Sequence, residues 1–306
     1  MRTQLLSLAL ALVAALLACQ PAQAQSLKIV ARFTPEDGRI VDAALLDSAH
    51  LILLYPDAGR LADYTLDGQL HQHIVREGGA ERRFRPLACV ARSPRELLVF
   101  DEAAHKVFFI GADGNISRGI DLAYPSSGGT LLALSRVGDL AVGGSDVIWA
   151  MLPETNTLAS FDLAGNFVTS LALGELLPYT PAIYTRAQLF ADGSLYLLEY
   201  HQGAVIYRHG PDGAYRRLRL NTADDGAVLP ALQDFAVDGA GNVLLVTHDE
   251  QSPLQLLTPG ESGYAAHPVD LDLPGGNNRL ACRWSGGMFI LWTRDNPEVI
   301  VLQLQP

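Results

Sequence analysis

A turn built on glycine recurs at Gly68, Gly114, Gly165, Gly213 and Gly263, at intervals of 46, 51, 48 and 50 residues. Each joins two short runs, such as ADYTLDGQLHQHI and LASFDLAGNFVTSL, that alternate polar with apolar as half-buried strands do. A second register of turns lies between them, at Asp47-Ser48, Ser93-Pro94, Gly138-Asp139, Asp192-Gly193, Gly239 to Asn242 and Gly286-Gly287. An apolar or aromatic run follows each of these, among them HLILLY, ELLVF and MFILW. A unit of about 50 residues made only of strands is the mark of a propeller. The expected fold is all-β, a six-bladed β-propeller.

With strands a to d running outward from the axis, blade 1 spans about Arg39 to Val75 and blade 2 Pro86 to Leu122. Blade 3 covers about Leu131 to Leu173, blade 4 Ile183 to Leu220 and blade 5 Leu232 to Leu271. Blade 6 begins near Arg279 and stops after three strands, at Gln305. Its missing outer strand is assigned to Leu27 to Phe33, so that the ring closes through its termini and no sheet edge is left open. Cys89 and Cys282 occupy the same inner-strand position, where blades 1 and 5 have Ala43 and Ala236. Blades 2 and 6 are not neighbours, which puts the pair beyond the ~7 Å reach of a disulfide and predicts two free thiols.

The chain opens with Arg2, an apolar run from Leu5 to Ala18, then Cys19 and the stretch Gln20 to Gln25. This reads as a signal peptide over residues 1–24, cleaved before Gln25. Leu16-Leu17-Ala18-Cys19 resembles a lipobox, which gives the alternative of a leader over 1–18 and a lipid on Cys19. The run is shorter than the roughly 20 residues a membrane span needs. An exported protein of the bacterial periplasm is expected, or an outer-membrane lipoprotein if Cys19 is modified, with the propeller covering 27–306. A net charge of −11 argues against nucleic acid as a partner. It also argues against anionic lipid, leaving the Cys19 lipid as the sole route to a membrane.

Phe235-Ala236-Val237-Asp238-Gly239-Ala240-Gly241-Asn242-Val243 resembles one unit of the NHL-type and TolB-like six-bladed β-propellers. Gln188 to Tyr196 and Val41 to Gly68 are looser copies. The resemblance implies the fold, and a group whose members include binding scaffolds and a few hydrolases or lyases. Calcium-dependent lactonases of the gluconolactonase type share the six-bladed form. Their first inner-strand glutamate would fall near Asp42, and the middle blades here lack an Asn-Asp-Gly step.

Every b to c loop carries an acid: Asp57, Asp101 with Glu102, Glu154, Glu199, Asp249 with Glu250, and Asp295. Two adjacent blades each add an imidazole, which makes Glu199, His201, His248 and Asp249 candidates for a ligand face. Asp42, Glu199 and Asp249 are the candidates for Ca²⁺, which takes six to eight oxygen ligands. Arg82, Arg83 and Arg85, in the d to a loop from Arg76 to Arg85, could grip a carboxylate or phosphate. Tyr179 and Tyr184, in the apolar loop LLPYTPAIY, offer rigid contact surface. His71-Gln72-His73 sets two imidazoles on one face of an outer strand, with no third metal ligand near in sequence. These residues favour a binding module that takes a protein or small ligand on the face of the b to c and d to a loops, with no cofactor and no assigned catalytic residue. The alternatives are a Ca²⁺-dependent lactonase or esterase, and a structural part of an envelope assembly.

Overall fold

The structure is a computed structural model. It describes residues 26–36, 38–75, 84–125, 131–134, 136–143, 146–176, 184–190, 194–199, 204–208, 215–218, 232–248, 253–260, 264–271, 280–293 and 297–305.

Apart from one short 3-10 turn and a small two-stranded ribbon, the described elements form six four-stranded antiparallel sheets. In chain order the first holds β2 (Ala43–Leu45), β3 (His50–Tyr55), β4 (Arg60–Thr65) and β5 (Leu70–Ile74). The second holds β6 (Pro86–Ser93), β7 (Glu96–Asp101), β8 (Lys106–Gly111) and β9 (Ile116–Asp121). The ribbon pairs β10 (Ala123–Pro125) with β11 (Leu131–Ala133). The third sheet holds β12 (Asp139–Gly143), β13 (Val147–Leu152), β14 (Thr157–Phe161) and β15 (Phe167–Ala172), and the fourth β16 (Tyr184–Leu189), β17 (Leu195–Glu199), β18 (Ala204–Arg208) and β19 (Arg216–Arg217). The fifth holds β20 (Leu232–Val237), β21 (Val243–Thr247), β22 (Leu254–Pro259) and β23 (Tyr264–Pro268). The last joins β24 (Leu280–Ser285), β25 (Met288–Thr293) and β26 (Val299–Gln305) to β1 (Ser26–Phe33), the first strand of the chain. β1 lies antiparallel to β26 from Ser26 opposite Gln305 to Phe33 opposite Val299. This is a β-propeller.

The second strand of each sheet is the most apolar, and its side chains are buried on both faces. Leu51, Leu53 and Tyr55 of β3 pack toward Trp292 and Val301, whereas Ile52 and Leu54 pack toward Cys89 and Val99. Alternate residues of one strand thus serve two neighbouring cores, which is why these runs lack polar alternation. The inner strands lie side by side in the order β2, β6, β12, β16, β20, β24, and β24 lies against β2. Cys89 and Cys282 are both buried free thiols, as their inner-strand placement predicts. Burial raises the Cys89 thiol well above its ordinary pKa, and the Asp42 carboxylate adds to the rise.

One boundary differs from expectation. The Gly138-Asp139 step is not the inner turn of the third sheet, because Asp139 begins the inner strand β12. The apolar run at Leu131 pairs instead with Ala123–Pro125 in the ribbon, so this sheet starts near residue 139 and not 131. Two short apolar runs competed for one strand position, and periodicity alone cannot rank them.

Gly68, Gly114 and Gly165 all have positive φ, at 82°, 78° and 91°. Each sits against the outer strand of the preceding sheet. A Cβ on Gly68 would fall 2.5 Å from Phe33 Cβ, and one on Gly165 would collide with the Asp121 carbonyl oxygen. These turns therefore set the spacing between sheets as well as reversing the chain. Gly165→Ala is expected to cost about 3 kcal/mol, combining the left-handed backbone penalty with a clash against main chain that cannot swing away. Gly239→Ala, where an added Cβ meets nothing within 4 Å, should stay within about 0.5 kcal/mol. Denaturant melts of the two variants check the contrast, and equal stability would remove the spacing role.

Candidate functional site

The inner strands carry an aspartate at Asp42, Asp139 and Asp234, in the first, third and fifth sheets. All three are buried, and all three make the same pair of bonds. One oxygen accepts the N–H of the next residue: Ala43, Leu140 or Phe235, each at 2.9 Å. The other oxygen reaches the following sheet and accepts the N–H of Cys89 at 2.9 Å, Ala187 at 3.2 Å or Cys282 at 3.1 Å. A carboxylate accepting two amide bonds is a directed clip, and here it joins sheets in pairs. The alternate junctions use other groups. Gln188 Oε1 accepts from Val237 N–H at 2.9 Å, Ser285 Oγ accepts from Leu45 N–H at 3.0 Å, and Arg92 Nη2 pairs with Asp146 at 3.0 Å.

Two arginines from the fourth and sixth sheets neutralise these acids. Arg186 Nε lies 3.4 Å from Asp139 and 3.5 Å from Asp234, and its Nη2 donates to the Cys282 carbonyl at 3.0 Å. Arg283 Nε lies 3.2 Å from Asp42, and its two terminal nitrogens donate to the Cys89 carbonyl and to Asp139. Their side chains are 14% and 10% exposed. Burial works against the charge on Arg186, but Asp234 and Asp139 more than offset it and raise its pKa. For Arg283, likewise, burial is opposed by Asp139 and Asp42, with a net rise. Burial raises the pKa of Asp42, and Arg283 and Arg186 offset part of that rise. Three carboxylates and two guanidiniums leave this network at a formal charge of −1.

A cavity of about 270 Å³ stands on this network. Asp139, Arg186 and Arg283 form its floor, and Gln188 lines it beside them. Its walls are apolar: Ala91, Val142, Leu189, Phe190, Phe235 and Trp284 contribute. Most wall residues lie on the later part of the inner strands, so the cavity faces the a to b end of the sheets and not the b to c and d to a loops. Trp284 rests on Phe289 with ring centroids 4.8 Å apart, and Phe190 meets Tyr196 edge-on at 5.9 Å. Trp284 and Phe190 are thereby fixed in place.

Of the residues named from sequence, Cys19, Arg82, Arg83, Tyr179, His201 and Asp249 lie outside the described residues. Arg85 pairs with Glu102 at 2.7 Å. Tyr184 and Glu199 stand opposite each other on β16 and β17, and both are buried, which takes Tyr184 away from any contact surface. His248 is exposed, with Nδ1 3.3 Å from Gln233 Nε2. Asp42 is an axial clip held by Arg283. The structure brings together Tyr184 and Glu199, and sets Asp42 beside residues that sequence reasoning passed over. The signal for those was present, since Asp42, Asp139 and Asp234 are 97 and 95 residues apart, two blade lengths each.

The fold is that of a β-propeller, with a charged network where its inner strands meet. No family model matches the chain, and no curated protein matches its sequence. Among solved structures it is similar to virginiamycin B lyase from Staphylococcus aureus, with a TM-score of 0.61 and 11% identity over 92% of this chain and 100% of that one. It is also similar to the Cps50 (Swd1) β-propeller domain from Myceliophteria thermophila, at 0.57 and 12% over 92% and 100%. A Bacteroides thetaiotaomicron protein of unknown function gives 0.58 and 12% over 92% and 76%. At these identities the likeness is one of fold.

Proposed function

We propose that this chain is an exported binding module, a six-bladed ring closed by β1, that holds a compact small ligand in the axial cavity. The observation that carries the reading is an apolar, aromatic-walled cavity set on a rigid charged floor, the composition typical of small-molecule sites. Its volume of about 270 Å³ lies just under the usual ligand range of roughly 300–1,000 Å³, so the ligand is compact or inserts one end. On the floor, Asp139 and the two guanidiniums are already bonded to one another and to backbone groups, within a network of formal charge −1. A neutral polar end such as an amide, which both accepts and donates, suits it better than a full charge of either sign. This reading moves the site from the loop face expected from sequence to the a to b end.

The Ca²⁺-dependent hydrolase is less well supported, because Asp42 already gives its oxygens to two amides and Arg283. Solved propellers of similar fold include both lyases and WD40 repeats, so the fold itself does not choose between catalysis and binding. Export rests on the leader at residues 1–24.

A panel of compact aromatic and aliphatic amides, screened by ligand-detected NMR and by thermal melt, tests the site. A binder at a hundredfold excess over Kd should stabilise the protein by about 2.7 kcal/mol. Val142→Phe, which fills the cavity from its wall, should weaken that binder at least tenfold while the melt without ligand stays cooperative. Equal binding by both proteins, or no binder in the panel, would discard the axial site.

A further inference from the structure

Asp63, on β4, is buried, with its side chain 1% exposed. The buried aspartates of the axis have arginines. Among the described residues Asp63 has as ionic partners two histidines only, His50 and His71. His50 Nδ1 lies 3.1 Å from Asp63 Oδ1 and 3.3 Å from Oδ2, and His71 Nδ1 lies 3.1 Å from Oδ2. Gln72 Nε2 donates to the same Oδ2 at 3.2 Å. One ligand atom from each of His50, Asp63 and His71 falls within 4.8 Å of the others.

A break in the ladder creates this cluster. Asp63 stands opposite Gln72, and Tyr64 stands opposite Leu70, so His71 is the extra residue of a β-bulge. Strict alternation would set His71 with His73, on the other face from Gln72. The bulge re-aims it, as bulges do, so that His71 and Gln72 both reach Asp63 while His73 pairs with Glu36 at 2.9 Å. The three groups come from three adjacent hydrogen-bonded strands, β3, β4 and β5, which holds their backbones rigidly.

We propose that His50, Asp63 and His71 bind a divalent transition-metal ion of the Zn²⁺ type. Bonds of about 2.0–2.1 Å to imidazole nitrogen and about 2.0–2.2 Å to carboxylate oxygen, at tetrahedral angles, put ligand atoms about 3.3 Å apart. Asp63 Oδ2 lies 3.3 Å from His50 Nδ1 and 3.1 Å from His71 Nδ1, both near that edge length. Two imidazoles and a carboxylate favour Zn²⁺, Ni²⁺ or Cu²⁺ over Ca²⁺ and Mg²⁺, which prefer all-oxygen sets. The ion supplies the positive charge that a buried carboxylate needs. Gln72 stands behind the ligands and orients Asp63. The His71 side chain is 53% exposed, so the ion has a way in, and a fourth position is left for water. The site is on the first sheet and owes nothing to the axial cavity.

Calorimetric titration of the purified full-length chain, without an affinity tag, with ZnCl₂ and separately with MgCl₂ tests this. One Zn²⁺ per chain is expected, with no heat from Mg²⁺, and Co²⁺ in its place should give the intense visible bands of a four-coordinate site. His71→Ala changes an exposed side chain and should keep the fold. It is expected to weaken Zn²⁺ at least tenfold and to abolish the Co²⁺ bands. His50→Gln should act likewise, whereas His73→Ala should bind as the unaltered chain does. No Zn²⁺ binding at micromolar to millimolar concentration, or equal affinity in His71→Ala and the unaltered chain, would overturn the proposal. Loss in His73→Ala alone would transfer the ion to Glu36 and overturn it as well.

Discussion

Replacing Arg283 with methionine is expected to destabilise the fold by about 3–5 kcal/mol, because it strands Asp42 and Asp139 as buried charges deprived of one counter-ion. Methionine keeps most of the volume, so packing contributes little to the loss. The double variant Arg283→Met with Asp42→Asn should recover part of the stability, since two residues in one ionic network couple by about 0.5–3 kcal/mol. Denaturant melts of the two single variants and the double close the cycle. Purely additive costs would show that Arg283 acts through packing and that the axial network is incidental. The same variant should weaken ligand binding in the axial cavity, whose floor loses its charged ordering.

Deleting residues 26–33 is expected to abolish the single cooperative transition and to drive self-association. β1 shields β26 along seven paired positions, from Ser26 opposite Gln305 to Phe33 opposite Val299. Without it β26, which carries the buried Ile300, Val301 and Leu302, becomes an open edge, and an unpaired apolar edge templates other chains. Phe33 is lost as well. It packs against Tyr64 at 5.4 Å between ring centroids and receives the Gly68 turn of the first sheet, so the deletion also loosens the junction of first and last sheets. Circular dichroism melts with size-exclusion chromatography check this. A monomer with a sharp melt close to that of the full chain would show that the three strands β24 to β26 suffice.

The glycine turns were legible because their requirement is local. A c to d reversal needs positive φ, and glycine at Gly68, Gly114 and Gly165 meets it without strain. The NHL-like stretch of the fifth sheet was legible for the same reason. Asp238 takes the N–H groups of Ala240 and Asn242 at 2.8 Å each and thereby builds its own turn. The buried second strands were evident from their uninterrupted apolar runs. The free cysteines followed from strand register together with the order of the sheets.

Residue order alone was thus enough for the local backbone: where strands run, where they reverse, and that the first strand lacked a partner until the last sheet supplied one. Which polar residues meet depends on how the sheets pack around the ring. Asp42 and Arg283 are separated by nearly the whole chain and come together only when inner strands converge on one axis. Asp63, by contrast, gains His71 through a one-residue bulge that no period of two announces. An acid in a strand reads alike whether it faces water, clips the next sheet or faces two imidazoles. Its role depends on distances of about 3 Å across the fold, over which charge and hydrogen bonding act.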